Sequence, residues 1–210
     1  MRINPFRSLF AIAAMGLLAV TSSAFAKDRP VDRKAPPPEF VEVVASNALE
    51  AVKDSKAAQQ GDRATINALI DKYVMPYVNF EKTTRLAAGR HWRDATPEQR
   101  DALVKAFKNT LIRTYSGALS NVDDKAAIKI LPFRGDPNAK DVVVRSTFTQ
   151  SSGPAAAVDY RMEQTSDGWK IYDINVENIW LIQNYRNQFA DQITRNGIDG
   201  LIDALNQQNR

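Results

Sequence analysis

Four stretches in the second half of the chain, about 127–131, 141–149, 155–164 and 169–176, are apolar with strand-like spacing, and turn residues lie between them. The later turns carry Gly135-Asp136-Pro137-Asn138, Ser151-Ser152-Gly153-Pro154 and Ser166-Asp167-Gly168. Connections this short make neighbouring strands antiparallel, because a parallel crossover needs about a dozen residues or more. The second half is therefore expected to be a four-stranded meander.

Alternation picks out one buried face of that sheet. Val142, Val144 and Phe148 share a side of one strand, and Val158, Tyr160 and Met162 share a side of the next, opposite Asp159, Arg161 and Glu163. The last strand breaks the rule, since Trp169 and Ile171 on one parity and Tyr172, Ile174 and Val176 on the other are all apolar or aromatic. Either a bulge shifts its register or both of its faces are covered.

Before the sheet the period is helical. Phe40, Val43, Val44, Ala48, Ala51 and Val52 recur at three and four residues, and Asp62 can cap a second helix carrying Ile66, Leu69, Ile70, Tyr73 and Val74, which Pro76 ends. A short piece at 83–88 stops at Gly89. Thr96-Pro97-Glu98-Gln99 then supplies an N-cap, a proline at the first helical position and a Gln at the third. The helix that follows, about 97–119, shows Leu103, Ala106, Phe107, Leu111, Tyr115, Ala118 and Leu119 as a wide stripe. After Val176 a helix should run to about Arg195, with Ile179, Ile182, Tyr185 and Phe189 in one row, then a turn at Asn196-Gly197 and a last helix at 198–205. The fold class is α+β, a four-stranded antiparallel sheet wrapped by several helices.

The first 26 residues read as an export signal: Arg2 and Arg7, an uncharged apolar run from Leu9 to Val20, and Ala24-Phe25-Ala26 as a small-x-small cleavage site. A 12-residue run is too short for a bilayer core of about 30 Å. Removing 26 of 210 residues leaves 184, in which 27–38 form a flexible lead-in and 39–210 one domain: helices over about 39–122, the sheet over about 126–176 and C-terminal helices over about 178–208. Without Arg2 and Arg7 the 28 basic residues become 26 against 24 acidic ones, and that small excess argues against a dedicated nucleic-acid binder. The chain has no Cys, hence neither a disulfide framework nor a lipidated cysteine after the signal. The expected product is soluble and periplasmic.

Familiar catalysis finds little to work with. One His, no Cys and no Gly-x-Ser-x-Gly turn leave no nucleophile with its base; one His cannot assemble a zinc site, and no glycine fingerprint for nucleotide phosphates is present. His91 reads as a loop residue or a proton donor, Asp159 and Asp173 as wet-face strand residues or acids, Tyr160 and Tyr172 as core cover, and Arg85, Arg90 and Arg93 as solvated surface or a phosphate attractor.

What remains is an apolar surplus. Stripes of this kind ordinarily form core, but a curved sheet between two apolar helices can also leave a gap for a ligand. Its candidate lining is Ile171, Ile174, Val176, Ile179, Ile182, Tyr185 and Phe189 facing Leu103, Phe107, Leu111, Val144, Phe148, Val158, Tyr160 and Met162.

Several segments together resemble one family. These are 77–89 followed by His91-Trp92; Ala95-Thr96-Pro97-Glu98-Gln99-Arg100 with Phe107 and Tyr115; Trp169-Lys170-Ile171-Tyr172-Asp173 leading through Val176-Glu177 into Asn184-Tyr185-Arg186-Asn187-Gln188-Phe189; and Asn196-Gly197-Ile198-Asp199-Gly200-Leu201-Ile202. In this order they resemble the MlaC family, also described as the toluene-tolerance auxiliary family. Where that family usually has Glu-Gly-Val-Ser, this chain reads Glu177-Asn178-Ile179-Trp180. The resemblance implies a nuclear-transport-factor-like sheet around an apolar pocket that holds phospholipid acyl chains, with no cofactor and no metal. It also implies transfer between an outer-membrane MlaA-porin complex and an inner-membrane MlaFEDB transporter with its MlaD ring, in support of outer-membrane lipid asymmetry. Two other readings stay open: a small-ligand protein or enzyme using Asp159, Asp173 or His91, and a periplasmic chaperone.

Overall fold

A computed structural model of the chain describes residues 28–208 except 120 and 137. The proposed signal and its cleavage after Ala26 lie outside the described residues. The meander forms as β1 (Ala127–Ile130), β2 (Asp141–Thr149), β3 (Ala156–Thr165) and β4 (Gly168–Val176), and it gains a fifth strand, β5 (Ile179–Trp180), in the order β1-β2-β3-β4-β5. All neighbouring pairs are antiparallel.

The fifth strand corrects the expected helix start. Glu177 and Asn178 have φ of 51° and 66°, and Val176 pairs with Ile179, so the two residues close a tight hairpin of the kind that needs positive φ at both centres. Asn tolerates that conformation, and the Asn178 N–H donates to the Asn175 side-chain oxygen at 2.9 Å. Ile179 therefore belongs to a strand, and the helix begins at Leu181.

The irregular parity of β4 also has its cause. Arg161 pairs with Asp173 but Met162 pairs with Ile171, which leaves Tyr172 as the extra residue of a bulge. Before the bulge Trp169 and Ile171 join Val142, Val144, Tyr160 and Met162 against Phe40, Val41 and Val44. The opposite face of β4 is covered as well: the Thr83 hydroxyl donates to the Tyr172 carbonyl at 2.6 Å, and the Ile182 N–H donates to Asp173 at 3.1 Å. Bulge and double cover both occur.

The helices are α1 (Pro37–Lys53), the single turn α2 (Lys56–Gln59), α3 (Arg63–Tyr73), α4 (Phe80–Ala88), α5 (Pro97–Leu119) and α6 (Leu181–Gln208), with 3-10 turns at Met75–Tyr77 and Gly89–Arg93. Their ends follow local chemistry. Asp62 accepts from the Ala64 and Thr65 N–H groups, and Asn79 accepts from Lys82. Thr96 and Gln99 form the reciprocal box, Gln99 N–H to the Thr96 hydroxyl at 3.2 Å and Thr96 N–H to the Gln99 side chain at 3.0 Å. Gly89, at φ 60°, stops α4, and Gly197, at φ 70°, breaks α6 where a turn was expected. Burial of Leu201, Ile202 and Leu205 against Leu103 and Phe107 fixes the final segment.

From Asp28 on, the lead-in makes specific contacts with the domain. The Trp169 N–H donates to the Arg33 carbonyl at 2.8 Å, Arg29 and Asn47 exchange hydrogen bonds at 3.1 and 2.8 Å, and Val31 packs under α1. Its composition carries almost no apolar signal beyond Val31, but backbone groups need none to pair. Gly168 sits at φ 99°, and a Cβ there would come within 2.3 Å of the Arg33 carbonyl oxygen. Gly168→Ala is expected to cost about 1–3 kcal/mol through strain and displacement of this strap, read as a lower urea midpoint.

Candidate functional site

The apolar side chains of a domain usually merge into one contiguous core. Here they fall into separate groups. One lies between α4, α5 and α6, around Phe80, Leu103, Phe107, Tyr185, Phe189 and Leu201. A second joins the sheet to α1. A third gathers Val52, Val122 and Ala126 with Leu49, Leu69 and Phe148, and a fourth gathers Ala58, Ile66 and Ile112 with Leu69, Ile70 and Leu119. Half-buried residues link them: Val78 touches the first and second groups, and Leu69 the third and fourth.

The fifteen proposed lining residues divide accordingly. Leu103, Phe107, Tyr185 and Phe189 are buried among one another, with ring centroids of Phe107 4.8 Å from Tyr185 and 4.9 Å from Phe189. Val144, Tyr160, Met162 and Ile171 are buried under α1. Tyr185 and Phe189 of one row thus meet Leu103 and Phe107 of the other, and Ile171 lies with Val144, Tyr160 and Met162 under α1, so the two rows meet in two separate groups. Ile182 is buried at the start of α6. Leu111, Phe148, Val158 and Ile174 are half-buried on the borders of the groups, and Val176 and Ile179 are 44% and 61% exposed.

The border residues come from both the sheet and the helices. Phe148, Val158 and Ile174 come from three consecutive strands. Leu111 of α5 and Leu181 at the start of α6 lie on the rim of the helical group. At the C-terminal end of α5, Tyr115 is 45% exposed and close enough to Tyr185 to act on its phenol, whose pKa burial raises above the usual value. The candidate site is the seam between these groups, bordered by half-buried residues of the strands and of α5 and α6; the β4–β5 hairpin carries the exposed Val176 and Ile179. Leu181, which also borders the helical group, lies outside the Ile182-Tyr185-Phe189 row and so carried no signal in the sequence pattern.

Of the polar residues offered as acids, Asp173 has the most partners in the structure. The Asp173 carboxylate, fully buried, accepts from the Ile174 and Ile182 N–H groups at 3.0 and 3.1 Å and pairs with Arg161 at 3.1 Å. Burial raises its pKa above the ordinary carboxylate value, against the lowering effect of those partners. Asp159 lies 3.9 Å from Arg145 across the strands, and His91 sits on the 3-10 turn after α4. Tyr172 does more than cover core: its hydroxyl donates to Asp141 at 2.9 Å, and the Lys82 ammonium lies 3.7 Å from its ring centroid while pairing with Glu163 at 2.6 Å. Trp180, the departure at the hairpin, stacks its ring 3.8 Å from the Arg161 guanidinium carbon. No group of three or more His, Cys, Asp or Glu placed to hold a metal occurs among the described residues.

Fold and site together define an α+β protein whose apolar interior, between helices and sheet, is divided into separate groups. Residues 42–207 match the family described as MlaC protein. The chain belongs to the MlaC family. It is 28% identical over 162 residues to the toluene tolerance protein ttg2D of Pseudomonas putida, covering 75% of this chain and 74% of that one. It is 23% identical over 195 residues to the intermembrane phospholipid transport system binding protein MlaC of Haemophilus influenzae, covering 91% and 90%. Among solved structures, the phospholipid-binding protein of Ralstonia solanacearum in complex with a phospholipid is 40% identical, with a TM-score of 0.78 over 84% of this chain and 97% of that one. No helix of the described residues is long and apolar enough to cross a membrane.

Proposed function

We propose that the chain is an exported, periplasmic carrier that takes the acyl chains of a glycerophospholipid into the seam and leaves the head group in water. The observation that carries this reading is the divided interior: the apolar side chains form separate groups bordered by half-buried Leu111, Phe148, Val158 and Ile174, and an acyl chain entering between the groups would replace contacts the protein makes with itself. The phospholipid in the 40% identical Ralstonia protein supports it. Burial of a CH₂ is worth about 0.8 kcal/mol, so two chains of about 15 methylenes cost on the order of 24 kcal/mol when exposed to water. A carrier needs a lining only nearly as good as the bilayer, so that loading and release are small differences between large terms. By family, the partners are an outer-membrane MlaA-porin complex and the inner-membrane MlaFEDB transporter with its MlaD ring. The transfer supports outer-membrane asymmetry and involves no catalysis, cofactor or metal. With phosphates outside the seam, screened surface charges select weakly among head groups.

Solvent extraction after a detergent-free preparation tests this. The expected result is about one phospholipid per chain, with head groups in the proportions of the source membrane; recovery of none would end the reading, and a single head-group class would end its tolerance. Val176→Ser with Ile179→Ser, both exposed, should change stability by no more than about 0.5 kcal/mol. The same pair should slow uptake of fluorescent phospholipid from vesicles several-fold, because the apolar approach to the seam is lost.

A further inference from the structure

A groove of about 850 Å³ lies on the outer side of α4 and α6, and its lining includes four arginines, Arg85, Arg90, Arg93 and Arg186, together with His91 and no acidic residue. None of the exposed large apolar side chains lines it. The backbone builds it deliberately. Gly89, in a left-handed conformation, turns the chain out of α4 into a 3-10 turn, so that Arg85 lies before the turn and Arg90 and Arg93 follow it. Arg186 comes from α6, 100 residues away, and its Nε and Nη2 donate to the Leu86 carbonyl at 3.1 and 3.0 Å. That contact uses two of its five N–H donors and holds it in place. The guanidinium groups of Arg85, Arg90 and Arg93 make no hydrogen bond or ion pair among the described residues, whereas Arg29, Arg145, Arg161 and several lysines each have a carboxylate. The nearest acids in sequence, Glu81 and Asp94, do not line the groove.

We propose that this groove docks an extended acidic segment of a protein partner, one carrying small apolar side chains between its carboxylates. Four permanently charged groups gathered without counter-ions repel one another, and a chain of carboxylates relieves that repulsion while matching the planar forks of guanidinium. Leu86, Ala88, Ala190 and the buried Trp92 supply an apolar floor beneath the charges. A concave groove admits a peptide strand and excludes a flat bilayer. A membrane-binding face would instead interleave exposed apolar side chains with the basic ones.

The inference adds a docking surface to the carrier reading, and its test separates the two. The probe is a fluorescent twelve-residue peptide alternating Glu with Ala and Leu, titrated with the mature protein at low and high salt. The expected result is binding that salt weakens, reduced about tenfold or more in R85A/R90A/R93A and by no more than about twofold in K105A/R113A/K129A, which removes the same charge elsewhere. Phospholipid per chain should equal the parent value in both variants. Absence of binding by the parent protein, an equal loss in the control variant, or arginine-dependent binding to phosphatidylglycerol vesicles but not to the peptide would each overturn the proposal. Peptide binding by a protein that yields no phospholipid would sustain the groove and sink the carrier.

Discussion

Truncation of Phe107 to alanine is expected to lower stability by about 3–5 kcal/mol, the cost of deleting a fully buried aromatic ring that its surroundings can only partly collapse around. Its side chain is 0% exposed and rests among the rings of Phe80, Tyr185 and Phe189, with centroids 5.5, 4.8 and 4.9 Å away. The edge-on packing against Tyr185 and Phe189 adds to simple burial. The experiment also separates two roles for the same residue. A ring that only walls a lipid site is free of protein contact on one side, so deleting it from delipidated protein costs little and shows mainly in lipid binding. A ring enclosed by α4, α5 and α6 costs the full amount whether or not lipid is present. Urea unfolding of delipidated parent and Phe107→Ala protein, with extraction of lipid from both, should show a large loss of stability. A loss below about 1 kcal/mol accompanied by failure to retain lipid would place Phe107 in the lining instead.

The same residue explains how far the sequence could be read. Helical spacing put Phe107 on the buried face of its own helix, which is correct, but spacing says nothing about which element lies opposite. The α5 stripe meets α6 through Tyr185 and Phe189, while the sheet face of Val144, Tyr160 and Met162 meets α1. Features with local causes were legible: the Thr96-Gln99 box, the Asp62 cap, the glycine stops and the antiparallel meander all follow from neighbours within a few residues. Features that join distant segments were not. The strap from Arg33 to Trp169 uses backbone atoms that every sequence has, and Arg186 reaches the other groove arginines only because α6 packs along α4. The hairpin at Glu177 and Asn178 falls between these cases, since Asn permits positive φ but Glu gives no such signal.

Asp173→Ala is expected to cost about 2–4 kcal/mol, because it strips a buried carboxylate from the N-terminus of α6 and leaves the Ile182 N–H without an acceptor. Its charge partner Arg161 is 39% exposed, so water recovers part of that half of the pair. Asp173→Asn keeps a carbonyl oxygen able to accept from the helix N-terminus and should cost less than half as much. The pH dependence separates charge from cap. Burial raises the folded pKa of Asp173 above its unfolded value near 4, so between the two values the folded chain holds a proton that the unfolded chain has lost. Stability from this group is thus fully present below the unfolded pKa and declines as pH rises through the folded one. Asp173→Asn should flatten that decline in a series of urea titrations from acid to neutral pH. If Asn and Ala variants lose equal stability, the ion pair with Arg161, rather than the cap on α6, is what the buried carboxylate provides. The distinction reaches the seam itself, since Leu181 and Ile182 begin the helix that this one side chain anchors to β4.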